Sequence, residues 1–315
     1  MINRVLFYNS GGGIGDAIQI LPLIDTVKTV FKSANFFYLC AHKNHFNSTL
    51  KDLNCGIDSL DFGIKYFGFR WWHIFVAKKK FFNLKLDEFD LIVDCQSKLR
   101  NTIILKKIPS KAFYSSTFKN YFCSGLNRSA EELWSDLNKI DYDIKNIPKK
   151  YFDESIRLLP DKNYIGFSLT QGNVYRKKEW PLNKIIKLSE NLVKSNKIPV
   201  FLIEKKYQEL KNKIKSTIPS ALFPEHQTSL ESPVLVTCIG TRLDLAITID
   251  NGTMHMLSLS KVPIISLFGP TNAEKFAPQY KNSKVLDSKK IYNSKNVSDI
   301  TVEDVLEAAK QFLNF

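Results

Sequence analysis

The sequence predicts an α/β protein made of two Rossmann-like domains facing a cleft. Three observations carry this. An apolar run close to the N-terminus leads through a glycine cluster into a helix-periodic stretch. The same alternation of strand, turn and helix restarts at Tyr164 after a polar interval. The chain has 315 residues, 44% of them hydrophobic, which is ample for two cores and excludes a disordered or low-complexity chain.

In the first half, Arg4-Val-Leu-Phe-Tyr-Asn9 reads as a buried strand ending in Ser10-Gly-Gly-Gly-Ile-Gly15-Asp16. Ile18, Leu21, Ile24, Val27, Val30 and Phe31 then recur at helical spacing, and Pro22 predicts a kink or a late start. Residues 35–41, 90–95 and 112–114 are further strand candidates. Residues 138–163 are polar, contain Pro148 and Pro160, and read as the interdomain connection.

In the second half, Tyr164-Ile-Gly-Phe-Ser168 is a strand followed by a polar loop. Pro181 is placed for the first turn of a helix reaching Lys194. Residues 199–203 read as a strand, 205–218 as a lysine-rich helix, 245–250 as a strand, 252–260 as a helix and 263–268 as a strand. Ser298 and Thr301 are capping candidates for a last helix through Phe312. The expected domains are 1–150 and 151–300, with 301–315 a terminal helix packing back on the first domain.

Composition narrows the function classes. Lys+Arg 45 against Asp+Glu 31 gives a net charge of +14, spread over both halves. That surface suits anionic partners, or simply keeps the chain soluble. No nucleic-acid reading motif is recognisable, so nucleic acid is not an expected partner. No apolar run approaches a membrane span, and the N-terminal run is too short for a signal peptide. The expectation is a cytoplasmic protein, peripheral at most on the inner face of the membrane. Five scattered cysteines lack paired spacing and read as reduced thiols, with no zinc site. Residues 63–86 interleave aromatics with lysines. They read either as core aromatics with a lysine face, or as a surface for a lipid-linked phosphate-bearing acceptor or an anionic membrane.

Three constellations carry chemistry. The first is the glycine turn with Gly13, Gly15 and Asp16. It departs from the dinucleotide fingerprint, because Asp16 stands where the third glycine belongs, and no Walker lysine follows. Asp16 reads equally as a helix N-cap or a proton acceptor. The second runs from Ser168 and Thr170 to Arg176-Lys-Lys178-Glu-Trp180-Pro181, hydroxyls and cations at a strand's C-terminal end. The third is Asp250-Asn-Gly-Thr-Met-His255, followed by Phe268-Gly-Pro-Thr271. Gly252 is expected to permit a tight turn, and the helix start to offer N–H groups to a diphosphate. A packed, hydrogen-bonded histidine is the plain reading of His255. Asp141-Tyr-Asp143 matches a metal-binding D-x-D only in spelling and reads as solvated acids in the connection.

Together, Gly-Ile-Gly15-Asp16, Lys178-Glu-Trp180-Pro181, Asp250 through His255, Phe268-Gly-Pro-Thr271 and the closing Thr301-Val-Glu-Asp-Val-Leu-Glu segment resemble glycosyltransferase family nine, the ADP-heptose:lipopolysaccharide heptosyltransferases. The resemblance implies a GT-B fold, a donor nucleotide in the C-terminal domain and inverting transfer without an essential metal or other cofactor. It implies Asp16 as general base, Lys178 on the donor phosphate, Ser168 and Thr170 in a hydroxyl-bearing segment, and Asp250, Asn251, Gly252, Thr253 and His255 around the sugar diphosphate. Glu204 is the candidate for the ribose, although the family's surrounding pattern is absent there. The implied partners are a nucleotide sugar and a glycan or lipid-linked glycan acceptor. A UDP- or GDP-sugar enzyme of the same fold and a non-catalytic nucleotide- or glycan-binding relative remain the alternatives.

Overall fold

The structure is a computed structural model that describes residues 2–9, 13–40, 45–53, 55–60, 69–118, 123–125, 142, 144–170, 175 and 177–313. The chain divides into two compact units, Met1–Asn146 and Ile147–Phe315.

The first unit is a six-stranded sheet in the order β3-β2-β1-β4-β5-β6. Its strands are β1 (Arg4–Asn9), β2 (Asn35–Cys40), β3 (Asp58–Leu60), β4 (Phe89–Asp94), β5 (Ser110–Ser115) and β6 (Cys123–Ser124). All pairings are parallel except β5 with β6. Val5, Leu6, Phe7 and Tyr8 are buried on both faces, as a central parallel strand requires. The helical stretch after the glycine cluster is two helices, α1 (Ile14–Gln19) and α2 (Leu21–Val30). The break falls at Ile20, and Pro22 sits in the first turn of α2, where its missing N–H costs nothing. Helices α3 (His73–Asn83) and α4 (Leu99–Leu105) complete the described helices of this unit.

The second unit is a five-stranded parallel sheet in the order β11-β10-β9-β7-β8. These strands are β7 (Tyr164–Ser168), β8 (Ile198–Leu202), β9 (Leu245–Ile249), β10 (Ile264–Phe268) and β11 (Ser283–Asp287). The helices are α5 (Lys149–Leu158), α6 (Leu182–Lys194), α7 (Gln208–Thr217), α8 (Pro233–Gly240), α9 (Gly252–Leu259), α10 (Ala273–Phe276), α11 (Ser288–Tyr292) and α12 (Val302–Ala309). Chain order reverses between β7 and β9, so a crevice opens at the carboxyl ends of these two strands.

Three expectations change. The polar stretch 138–163 contains α5, whose Tyr151, Ser155 and Leu158 are buried. Its polar composition reflects a helix with one narrow apolar stripe. The terminal helix α12, expected on the first domain, packs Val302, Val305, Ala308 and Ala309 into the second unit's own core with Ile185 and Leu188. Its start is held by Thr301, whose hydroxyl accepts from Asp304 N while Asp304 Oδ2 accepts from Thr301 N. Pro181 is the N-cap of α6 and not within its first turn. Trp180 beside it is buried and donates Nε1–H to Ile300 O at 3.0 Å.

The Phe268-Gly-Pro-Thr271 turn is a steric device. A Cβ on Gly269 would stand 2.6 Å from Val297 N and 2.8 Å from Lys295 O, both backbone atoms. Gly269→Ala is therefore expected to destabilise the protein by about 1–3 kcal/mol through overpacking. Urea or thermal unfolding measures it, and an unchanged midpoint contradicts the packing argument.

Candidate functional site

The second unit brings its predicted residues, Glu204 excepted, to one place, the β7/β9 crevice. Strand β9 delivers Asp250, and β7 ends at Ser168. Asn251 joins them. Its Oδ1 accepts from Met254 N at 2.9 Å, capping α9. Its Nδ2 donates to Ser168 Oγ at 2.6 Å and to Thr170 O at 2.8 Å. Asn251 thus uses both amide ends, and Ser168, which is buried, serves to hold the loop.

Lys178 enters the same crevice. The chain takes the left-handed region at Lys177 (φ 47°) just before it. The Lys178 ammonium donates to Asp250 Oδ2 at 2.5 Å and to Asp250 O at 3.0 Å, and both side chains are largely buried. The result is one cation at the start of α9, where unpaired N–H groups already favour an anion. Gly252 is the first residue of α9, and its φ is not in the positive region, which among the described glycines only Gly56 and Gly125 adopt. The expected tight turn at Gly252 is thus an ordinary helix start. Thr253 lies half-buried beside it, and His255 is buried one residue beyond Met254. Burial lowers the His255 pKa to about 4, against the pull of Asp250 and with the push of Lys178. At neutral pH its ring is uncharged.

Glu204 follows the end of β8, half-exposed and ion-paired with Lys206 at 2.6 Å. Nearby, Glu225 is buried and its pKa is raised to about 7 by burial, then by Glu231 and Glu204. No sequence signal marks Glu225, since its environment is assembled from separate segments.

In the first unit, Asp16 is the third residue of α1 and not its N-cap, which is Gly13. Asp16 Oδ2 accepts from Gly13 N at 3.3 Å, and Asn9 Nδ2 donates to Asp16 O at 2.8 Å. A Cβ on Gly13 would press on that carboxylate at 3.1 Å. Gly15 lies in the first turn of α1, half-buried. Strand β4, paired with β1, ends at buried Asp94. Asp94 accepts from Thr102 Oγ1 at 2.5 Å, Gln96 Nε2 at 2.9 Å and Ser115 Oγ at 3.1 Å. Burial nevertheless raises its pKa. This knot, which sequence reasoning missed, fixes the loop after β4; its signal was an aspartate closing an apolar strand.

Residues 10–12, 171–174 and 176, the Asp141 and Asp143 pair, and 63–68 of the aromatic segment lie outside the described residues. Among the described residues no group of His, Cys, Asp or Glu is arranged to hold a metal, and Cys55, Cys95, Cys123 and Cys238 are free.

Two predictions follow from the electrostatics. Lys178→Met leaves Asp250 buried without its cation and is expected to cost about 3–5 kcal/mol. The double variant with Asp250→Asn should recover part of that loss in a double-mutant cycle, whereas strict additivity contradicts the pairing. For pH, His255 stays neutral in the fold but protonates near 6.5 when unfolded, so it removes stability as pH falls from 6.5 towards 4. Glu225 does the opposite: it takes up its proton near 7 when folded and near 4.5 when unfolded, so acidification through that window adds stability. Each effect is at most about 3 kcal/mol. Urea midpoints at both ends of the window should show Glu225→Gln losing more stability on acidification than wild type, and His255→Asn losing less. Parallel pH profiles for all three proteins contradict this.

The family model of glycosyltransferase family 9 (heptosyltransferase) matches residues 125–306. A curated relative, lipooligosaccharide heptosyltransferase 2 of Campylobacter jejuni, is 27% identical over 149 residues, 43% of this chain and 47% of the relative. The chain thus spans about half the length of the curated relatives it matches. The crystal structure of a family 9 glycosyl transferase from Veillonella parvula superposes with TM-score 0.68 at 18% identity, covering 98% of this chain and 97% of that one. An E. coli ADP-heptose lps heptosyltransferase II superposes with TM-score 0.63 at 15% identity, covering 98% of each. Such likenesses carry the two-domain GT-B fold, and the family model spans more than half of the residues. This chain belongs to glycosyltransferase family 9.

Proposed function

We propose that the protein is an inverting glycosyltransferase of the cytoplasm, moving a heptose-like sugar from a nucleoside-diphosphate donor to a lipopolysaccharide core or other surface-glycan acceptor. ADP-heptose is the donor we assign, in keeping with the named donor of the E. coli structural neighbour. The observation that carries the reading is the Lys178, Asp250 and Asn251 cluster at the β7/β9 crevice, where an ammonium held by Asp250 stands beside the capped start of α9.

The donor diphosphate takes the N–H groups of Gly252 and Thr253 and the Lys178 ammonium, with Thr170 and His255 alongside. Glu204 takes the ribose hydroxyls. An acceptor hydroxyl is a poor nucleophile until its proton leaves, and Asp16 is the base that receives it. The acceptor oxygen attacks the anomeric carbon, and the bond to the diphosphate oxygen breaks with its electron pair. The charge gained by the leaving nucleotide is met by Lys178 and the helix start. A single displacement inverts the anomeric carbon, and no carboxylate nucleophile is needed. With these charges in place, the reading requires no metal ion or other cofactor.

The test is turnover of ADP-heptose with a lipid-linked core acceptor, in the presence of EDTA. Wild type should transfer sugar, and Asp16→Asn should bind ADP unchanged while losing roughly 10²–10⁴-fold in kcat. Near-wild-type turnover by Asp16→Asn removes the base assignment. Turnover only with UDP- or GDP-sugars keeps the chemistry and replaces the donor. Nucleotide binding without transfer to any acceptor favours a non-catalytic relative.

A further inference from the structure

Helix α3 has two unlike faces. His73, Ala77 and Phe81 recur every four residues and are buried, with Ile74 and Leu84 packed against the same core. The opposite face carries Trp71, Phe75, Lys78 and Phe82 at spacings of four, three and four. Phe75 is 85% exposed, Trp71 58%, Trp72 56% and Phe82 55%. Three large aromatic rings on this exposed face, with Trp72 exposed beside them at the helix start, are far from the scatter expected of an ordinary surface. The sequence reading of core aromatics therefore holds for Phe69 and Phe81 but not for these four.

The charge on this face has a single sign. No Asp or Glu occurs from 62 to 86, while Lys or Arg occupies 65, 70, 78, 79, 80 and 85. Lys78 and Lys79 are exposed, and Lys78 Nζ lies 5.9 Å from the Phe82 ring centre, so cation and ring share the face. A two-fold contact with a second copy would set these lysines against themselves. An anionic bilayer satisfies both features. Tryptophan and phenylalanine rings settle at the headgroup level, and ammonium groups meet the lipid phosphates.

We propose that α3, with Trp71 and Trp72 at its start, is a membrane-docking helix that lays Trp71, Trp72, Phe75 and Phe82 into the surface of a bilayer containing anionic lipid, with Lys78 and Lys79 on the lipid phosphates. The proposal concerns where the enzyme sits and is independent of the transfer chemistry, because it uses neither Asp16 nor any residue assigned to the donor.

The full-length chain is sedimented with phosphatidylcholine vesicles, with and without phosphatidylglycerol. Binding should require the anionic lipid and weaken as salt is raised. Phe75→Ala combined with Phe82→Ala should weaken it at least ten-fold, and Lys78→Gln and Lys79→Gln by roughly five-fold each. All four positions are exposed, so melting midpoints and ADP binding should match wild type, which separates failure here from failure of the donor site. Absence of binding to anionic vesicles, or variants that bind as well as wild type, overturns the proposal. So does a wild-type dimer that these substitutions dissolve.

Discussion

The β7/β9 crevice depends on one side chain, Asn251. Its carbonyl oxygen caps α9, and its amide pins the loop that follows β7. A threonine cap offers a single hydroxyl and cannot make all three bonds. The helix start, the β7 loop and the Lys178 approach are thereby held in register. The crevice itself is older than any of these contacts in the logic of the fold, since it follows from a parallel sheet whose chain order reverses between β7 and β9.

Charge at this crevice is ordered by burial. Lys178 keeps its ammonium beside Asp250, and His255 gives up its charge to stay buried next to them. A second histidine cation would crowd the lysine. A neutral ring adds no further charge beside the Lys178–Asp250 ion pair. Glu225, pushed up to about 7 behind Glu204, keeps a further carboxylate from being fully charged beside the ribose candidate. The first unit repeats the principle. Asp94 is buried under four donor groups at the end of β4, while half-buried Asp16 accepts from Gly13 N at its own helix start.

Much of the fold was legible because central parallel strands are apolar on both faces. β1, β4, β7, β9 and β10 each read as an uninterrupted run. Helix α8 was not legible, because all seven residues after Pro233 are buried and no polar face marks its period. Edge strand β11 has only two buried residues, Leu286 and Asp287, and a lysine at its second position. Helix α5 hid in a polar stretch for the converse reason. At the site, the motif spelling identified Lys178, Asp250 and His255, and nothing in it revealed that Asn251 is a three-way tie. The perturbed titrations of Glu225 and Asp94 were invisible, since segments far apart in sequence supply their causes.

We assign nucleotide binding to the β7/β9 crevice. Hydrogen exchange followed by mass spectrometry, with and without saturating ADP, tests it directly. The account predicts added protection in the peptides containing Thr170, Lys178 and Gly252 to His255, with the Gly252 and Thr253 amides most affected. Protection confined to the first unit, or none in the Asp250 to His255 peptide at saturation, would contradict it.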